Sequence, residues 1–105
     1  MPAITHLQFL ALGMLRGGPR LGRDVRRELA RHGVRRSGPA FYQMMARLEE
    51  AGFASGEYEQ KIVAGQIIKE RRYTILPAGA SAWTATREFY LGAIAAFGEP
   101  GRARA

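Results

Sequence analysis

The 105-residue chain contains no cysteine. That excludes a disulfide framework and any thiolate-held metal, and it suits a reducing interior. Acidic residues are scarce, nine against sixteen lysines and arginines, which leaves a net charge of +7. Histidine occurs only as His6 and His32, and Asp24 is the sole aspartate, so no metal-ligand or Ser-His-Asp spacing exists. Long apolar runs are also missing. The longest, Leu7 to Leu15, includes Gln8 and is too short to cross a bilayer. No basic residues precede it and no small-residue cleavage site follows it, unlike a secretion signal. Gly17-Gly18-Pro19 lacks the Lys-Ser/Thr of a phosphate-binding loop and reads as a turn. These absences argue against a large metabolic enzyme, a membrane span and a chain that is only a disordered polar tail. We expect one cytoplasmic domain with no catalytic residues, no metal and no cofactor.

The positive charge is concentrated. Between Arg16 and Arg47 lie nine arginines (16, 20, 23, 26, 27, 31, 35, 36 and 47) against Asp24 and Glu28, a local balance of +7. Elsewhere seven basic residues meet seven acidic ones. Such concentration in one third of the chain points to a polyanion. Arginine in particular suits two-pronged contacts to phosphate or guanine. The plainer alternative is a solvated face.

The apolar spacing predicts a helix over residues 4–15, with Thr5 as cap and Leu7, Leu10, Ala11 and Met14 at helical intervals. A second helix over 20–32 places Leu21, Val25 and Leu29 on one face, and Gly33 suits its C-cap. A third over 37–51 starts at Ser37, tolerates Pro39 in its first turn, and carries the stripe Phe41, Met44, Met45 and Leu48. Pro39, Gln43, Ala46 and Arg47 point away from that stripe, with Tyr42 on its flank. Residues 53–62 and 67–76 then read as a β-hairpin. A three-residue loop would set Glu59 against Lys69 and Glu57 against Arg71, whereas a two-residue loop would set Glu59 against Glu70. Cross-strand charge favours the first. Pro77 opens a last helix reaching Phe97, with Trp83, Arg87, Tyr90, Ile94 and Phe97 in a seven-residue rhythm.

Three helices, a hairpin and a helix make a mainly α fold with a small β-hairpin: a winged helix-turn-helix plus a C-terminal dimerisation helix. We expect residues 1–76 to form the DNA-binding region, 77–97 the dimerisation helix and 98–105 a flexible tail. The third helix would occupy a major groove about 12 Å wide, with the hairpin beside it on phosphates or the neighbouring minor groove.

The run from Ser37 to Phe53 resembles the recognition-helix motif of the PadR (phenolic-acid-response) family of transcriptional regulators, through Phe41-Tyr42, Met45, Arg47-Leu48-Glu49 and Gly52. Arg71-Arg72-Tyr73-Thr74-Ile75 followed by Ala78-Gly79, and Gly18-Pro19 followed by Gly22, are similar to the same family in the same order. Two positions depart from it: Arg23 stands where the family has a tyrosine, and Leu76-Pro77 where it has a capping threonine. The resemblance spans roughly residues 5–90 and implies the compact branch with one C-terminal helix.

Resemblance and helix geometry together place Tyr42 on a DNA phosphate, the alternative being a semi-buried core tyrosine. Gln43 and Arg47 are the candidates for base or phosphate contact, unless Glu50 takes Arg47 in an intrahelical pair. Arg35 and Arg36 are candidate phosphate clamps, and Ser37 either caps its helix or binds phosphate. On the wing the candidates are Lys61, Gln66, Lys69, Arg71 and Arg72, with Lys61 and Gln66 favoured as nearest the tip, and the alternative for Arg71 is a pair with Glu57. Arg23, Arg26 and Arg27 either reach the flanking backbone or form a solvated face. The stripe Trp83, Arg87, Tyr90, Ile94 and Phe97 is expected to bury itself in a homodimer, to fold on its own first helix, or both. A twofold dimer would set two recognition helices about 34 Å apart on a roughly palindromic operator. The resemblance further implies a small hydrophobic effector, with Trp83 as its speculative contact. The expected function is a sequence-specific, dimeric, double-stranded-DNA-binding regulator, in sense a repressor. The competing reading is a winged-helix module whose basic face meets an acidic protein partner.

Overall fold

The computed structural model describes residues 3–98. The elements follow in the order α1 (His6–Leu15), β1 (Arg20–Leu21), α2 (Gly22–Arg31), α3 (Gly38–Glu50), β2 (Ala54–Val63), β3 (Gln66–Ile75) and α4 (Pro77–Phe97). This is a winged helix-turn-helix extended by one long helix. The expected tail lies outside the described residues, save for Gly98 at the end of α4.

Local chemistry explains most of the boundaries. Thr5 and Gln8 cap α1 reciprocally: the Thr5 hydroxyl accepts from the Gln8 amide at 3.1 Å, and the Gln8 side chain accepts from the Thr5 amide at 3.0 Å. Ser37 caps α3 by accepting from the Ala40 amide at 3.2 Å. Pro77 opens α4 without a side-chain cap, because Leu76 has no polar group to offer.

The core is built where three helices meet the root of the hairpin. Ala11, Leu12 and Leu15 of α1, Val25 and Leu29 of α2, Phe41, Met45 and Leu48 of α3, and Ala54 and Tyr73 of the strands are almost wholly buried. The α3 stripe is thus the one its spacing predicts. In α1 the burial extends further round, because its other side receives α4: Phe9 stacks on Trp83 with centroids 5.5 Å apart and meets Tyr90 edge-on at 5.3 Å. Leu12 and Leu15, absent from the expected stripe, lie at its centre.

Two expectations are corrected. The second helix begins at Gly22, not at residue 20, because Arg20 and Leu21 pair with Tyr73 and Arg72 as a third strand, giving the order β1-β3-β2. The hairpin takes the two-residue loop: Val63 pairs with Gln66, Glu59 faces Glu70, and Glu57 faces Arg72. Ala64 and Gly65 both adopt positive φ, 51° and 78°, as a tight hairpin turn matched to strand twist requires. The like charges at 59 and 70 are neutralised diagonally. Arg72 bonds the Glu59 carboxylate through Nε and Nη2. Glu70 receives Arg23 at 3.0 Å and Lys61 at 3.3 Å, the latter a charge contact and not an aligned hydrogen bond.

Candidate nucleic-acid interface

Helix α3 separates its two faces cleanly. With Phe41, Met44, Met45 and Leu48 turned inward, Gln43, Ala46 and Arg47 are exposed. Among the described residues no carboxylate pairs with Arg47, so the intrahelical pair with Glu50 is not formed. Tyr42 sits between the alternatives for it. Its ring meets Phe41 edge-on at 5.0 Å, yet 38% of the residue is exposed. Gly22 permits this position, since a Cβ there would stand 2.8 Å from the Tyr42 ring.

Beside α3 the arginines converge. Arg23, Arg26, Arg27, Arg35 and Arg36 line one cleft of about 350 Å³. Arg26 Nε donates to the Arg36 carbonyl at 3.0 Å, which ties α2 to the chain leading into α3. Arg23 is held by Glu70 and Arg27 loosely by Asp24 at 3.5 Å. Arg26, Arg35 and Arg36 have no carboxylate partner among the described residues. Five guanidinium groups around one concavity form a site for anionic oxygens. Sequence spacing left open whether Arg23, Arg26 and Arg27 reach a flanking backbone or form a solvated face, and only the turn between the helices brings them to Arg35 and Arg36.

The wing is fixed to α3 by charge. Arg71 bonds Glu49, Nη2 to Oε1 at 2.6 Å and Nε to Oε2 at 3.3 Å, while its guanidinium lies 4.6 Å from the Tyr58 ring centre. Arg71 therefore pairs with Glu49 and not with Glu57. The Glu49 carboxylate raises the pKa of the Arg71 guanidinium, which stays charged. Gly56 leaves the room, because a Cβ there would come within 2.7 Å of both partners. Between α3 and the wing runs an open groove of about 730 Å³ that includes Tyr42, Ala46, Tyr58, Lys69 and Tyr73. Of the wing candidates, Gln66 and Lys69 are exposed and carry no carboxylate partner among the described residues. Lys61 and Arg72 are engaged by Glu70 and Glu59. The Arg72 guanidinium holds the Glu59 carboxyl below its ordinary pKa, as Arg20 does for Glu28.

The α4 stripe is divided. Trp83 packs on Phe9 and takes the Arg16 guanidinium over its ring at 3.8 Å. Tyr90 meets His6 edge-on at 6.0 Å. Beyond this contact Ile94 and Phe97 are 63% and 80% exposed, and Arg87 is exposed. Trp83 also edges a recess of about 490 Å³ with Leu10, Met14, His32 and Val34. No described helix is long and apolar enough to cross a membrane, and no metal-binding cluster occurs among the described residues.

Neither a family model nor a curated protein matches the chain. Solved structures do. A PadR family transcriptional regulator from Eggerthella lenta superposes with a TM-score of 0.73 at 23% identity, covering 88% of this chain and 78% of that one. The fold is that of the PadR regulators. A transcriptional regulator from Clostridium thermocellum aligns with a TM-score of 0.69 at 18% identity, over 90% and 91% of the two chains. Bacillus subtilis PadR, solved in complex with operator DNA, aligns with a TM-score of 0.63 at 19% identity over 77% of this chain and 46% of its own. The PadR-like fold accounts for the single C-terminal helix after the wing, and within it the resembling segments meet in space. Glu49 of the helix motif bonds Arg71 of the strand motif, and Gly22 lies against Tyr42.

Proposed function

We propose that the protein is a sequence-specific, double-stranded-DNA-binding transcriptional regulator, with no catalytic activity of its own. One observation carries this reading. On α3 the polar face holding Gln43 and Arg47 is exposed, Arg47 pairs with no carboxylate among the described residues, and the opposite face is buried. Gln and Arg are the side chains that pair with adenine and guanine edges in the major groove. The arginine cleft beside them, with Arg35 and Arg36, would hold a strand's phosphates. Tyr42 and Ser37 flank the same surface, and the wing adds Gln66 and Lys69. Lys61 and Arg72 would contribute through the parts of their side chains that remain exposed. The structural likeness to a PadR solved on operator DNA supports the assignment.

The regulator acts as a homodimer through the exposed half of α4, reads a roughly palindromic operator and represses by occupying it. A hydrophobic effector beside Trp83 would shift the angle between the two halves.

The test is selection of genomic fragments followed by salt titration of the best duplex. Specific binding enriches a defined sequence and gives a log–log salt slope of several units, roughly −0.9 per phosphate neutralised. Equal affinity for every duplex, or a slope near zero, rejects the assignment. Enrichment of no fragment returns the basic face to an acidic protein partner.

A further inference from the structure

The wing ends in a surface that electrostatics alone does not explain. From Lys61 to Lys69 the chain has no acidic residue and four large aliphatic ones. Ile62 is 78% exposed and Ile67 69%. They are directly opposite one another, one pair back from the turn, so their side chains share a face of the ribbon. Every second residue toward the root lies on that same face: Lys69, then Arg71, which bonds Glu49 of α3, then Tyr73 in the core. The isoleucine pair therefore projects on the α3 side of the wing.

Reach and shape suit one occupant. Tyr73 lies six positions along the strand from Ile67, about 20 Å at roughly 3.3 Å per step. Neighbouring major and minor grooves lie about half a helical turn apart, roughly 17 Å. With α3 in the major groove, the tip arrives at the adjacent minor groove. That groove is about 6 Å wide, and two strands are already about 4.8 Å apart before side chains are counted. Even a two-residue turn enters only by forcing the groove open. Lys69 shares the face of the apolar pair and suits a phosphate ridge beside it, while Lys61 lies on the opposite face, where it meets Glu70.

We propose that Ile62 and Ile67 form an apolar wedge that opens the adjacent minor groove, unstacks a base step and bends the duplex around α3. The wedge rests on the DNA-binding reading above. It selects sequence through deformation, favouring flexible pyrimidine–purine steps (TA, CA/TG) at a position that no polar side chain reads.

The test uses the full chain and a duplex enriched from a random pool by the wild-type protein, placed at different positions in fragments of equal length. Wild-type complexes should show position-dependent mobility corresponding to a bend of about 20–90°, centred on a pyrimidine–purine step. Ile62→Thr/Ile67→Thr keeps β-branched residues in a segment remote from the core. It should at least halve the bend and weaken binding about tenfold with the salt slope unchanged, because no phosphate contact is lost. Ile62→Leu/Ile67→Leu should retain the bend. A straight wild-type complex, or a threonine variant that bends DNA as the wild type does, overturns the wedge. So does a fall in the threonine variant's sedimentation mass without DNA, which would assign the pair to a second copy. A wild-type protein that enriches no duplex overturns the DNA-binding reading itself, an outcome distinct from an enriched duplex that stays straight.

Discussion

Glu49 and Arg71, 22 positions apart, join α3 to the return strand of the wing through two hydrogen bonds between one carboxylate and one guanidinium. Both side chains are more than three-quarters buried, so the pair is better shielded than an ordinary surface ion pair. It fixes the wing against α3. Arg71→Ala and Glu49→Ala should each cost about 1–2 kcal/mol in urea unfolding, with a coupling of about 1 kcal/mol in the double-mutant cycle. Arg71→Lys keeps the charge and loses the fork, and should recover only part of it. Additive losses would mean that the two residues act independently.

Arg47 projects from the centre of the exposed α3 face. Arg47→Ala should weaken binding to the selected duplex by about 1–3 kcal/mol and relax preference at one base position if the contact is two-pronged to guanine. Arg35→Ala should instead weaken all sequences alike and reduce the salt slope by about one unit. Competition binding against single-base variants separates the two behaviours. An Arg47→Ala protein with unchanged affinity and preference would move the reading face elsewhere.

The dimer reading is best probed beyond Tyr90, which already packs on His6 and Phe9 within its own chain. Ile94 and Phe97 are largely exposed. Ile94→Asp should halve the mass seen in analytical ultracentrifugation while leaving the far-UV circular dichroism intact, because it would bury an unpaired charge only in the dimer. An unchanged mass would remove α4 from the interface.

Tyr73 supplies a pH dependence of known sign. It is 1% exposed, and burial, reinforced by the Glu49 charge, pushes its phenol up to about 12 from an ordinary 10.0. The folded state thus holds this proton more tightly than the unfolded chain does. Its contribution is complete below pH 10 and is lost as pH rises from 10 towards 12, on the order of 2 kcal/mol in all. Urea unfolding at pH 9 and pH 11.5 should show this extra loss in the wild type and not in Tyr73→Phe.

The local half of the structure was legible in the sequence. Ser37, Pro39 and the spacing Phe41, Met44, Met45, Leu48 place α3 to within a residue, because capping and periodicity act over a few positions. The same spacing turned Gln43 and Arg47 outward. Pro77 and the rhythm ending at Phe97 gave α4 its observed bounds. The misses were long-range. Arg20 and Leu21 became a strand because β3 offered them an edge, which no local pattern records. The hairpin register defied the simple charge argument because Arg72, Lys61 and Arg23 neutralise Glu59 and Glu70 diagonally, and Arg23 comes from α2. Likewise Arg71 found Glu49 across the wing–helix groove, and five arginines became one cleft only when α2 and α3 folded back. The sequence by itself determined which segments are helices, which face of each is greasy and where the positive charge lies, since these follow from neighbours a few residues apart. Which charges pair, which stay free and how the wing stands against α3 were decided by tertiary structure, because ion pairs depend on distances that only the packed chain defines.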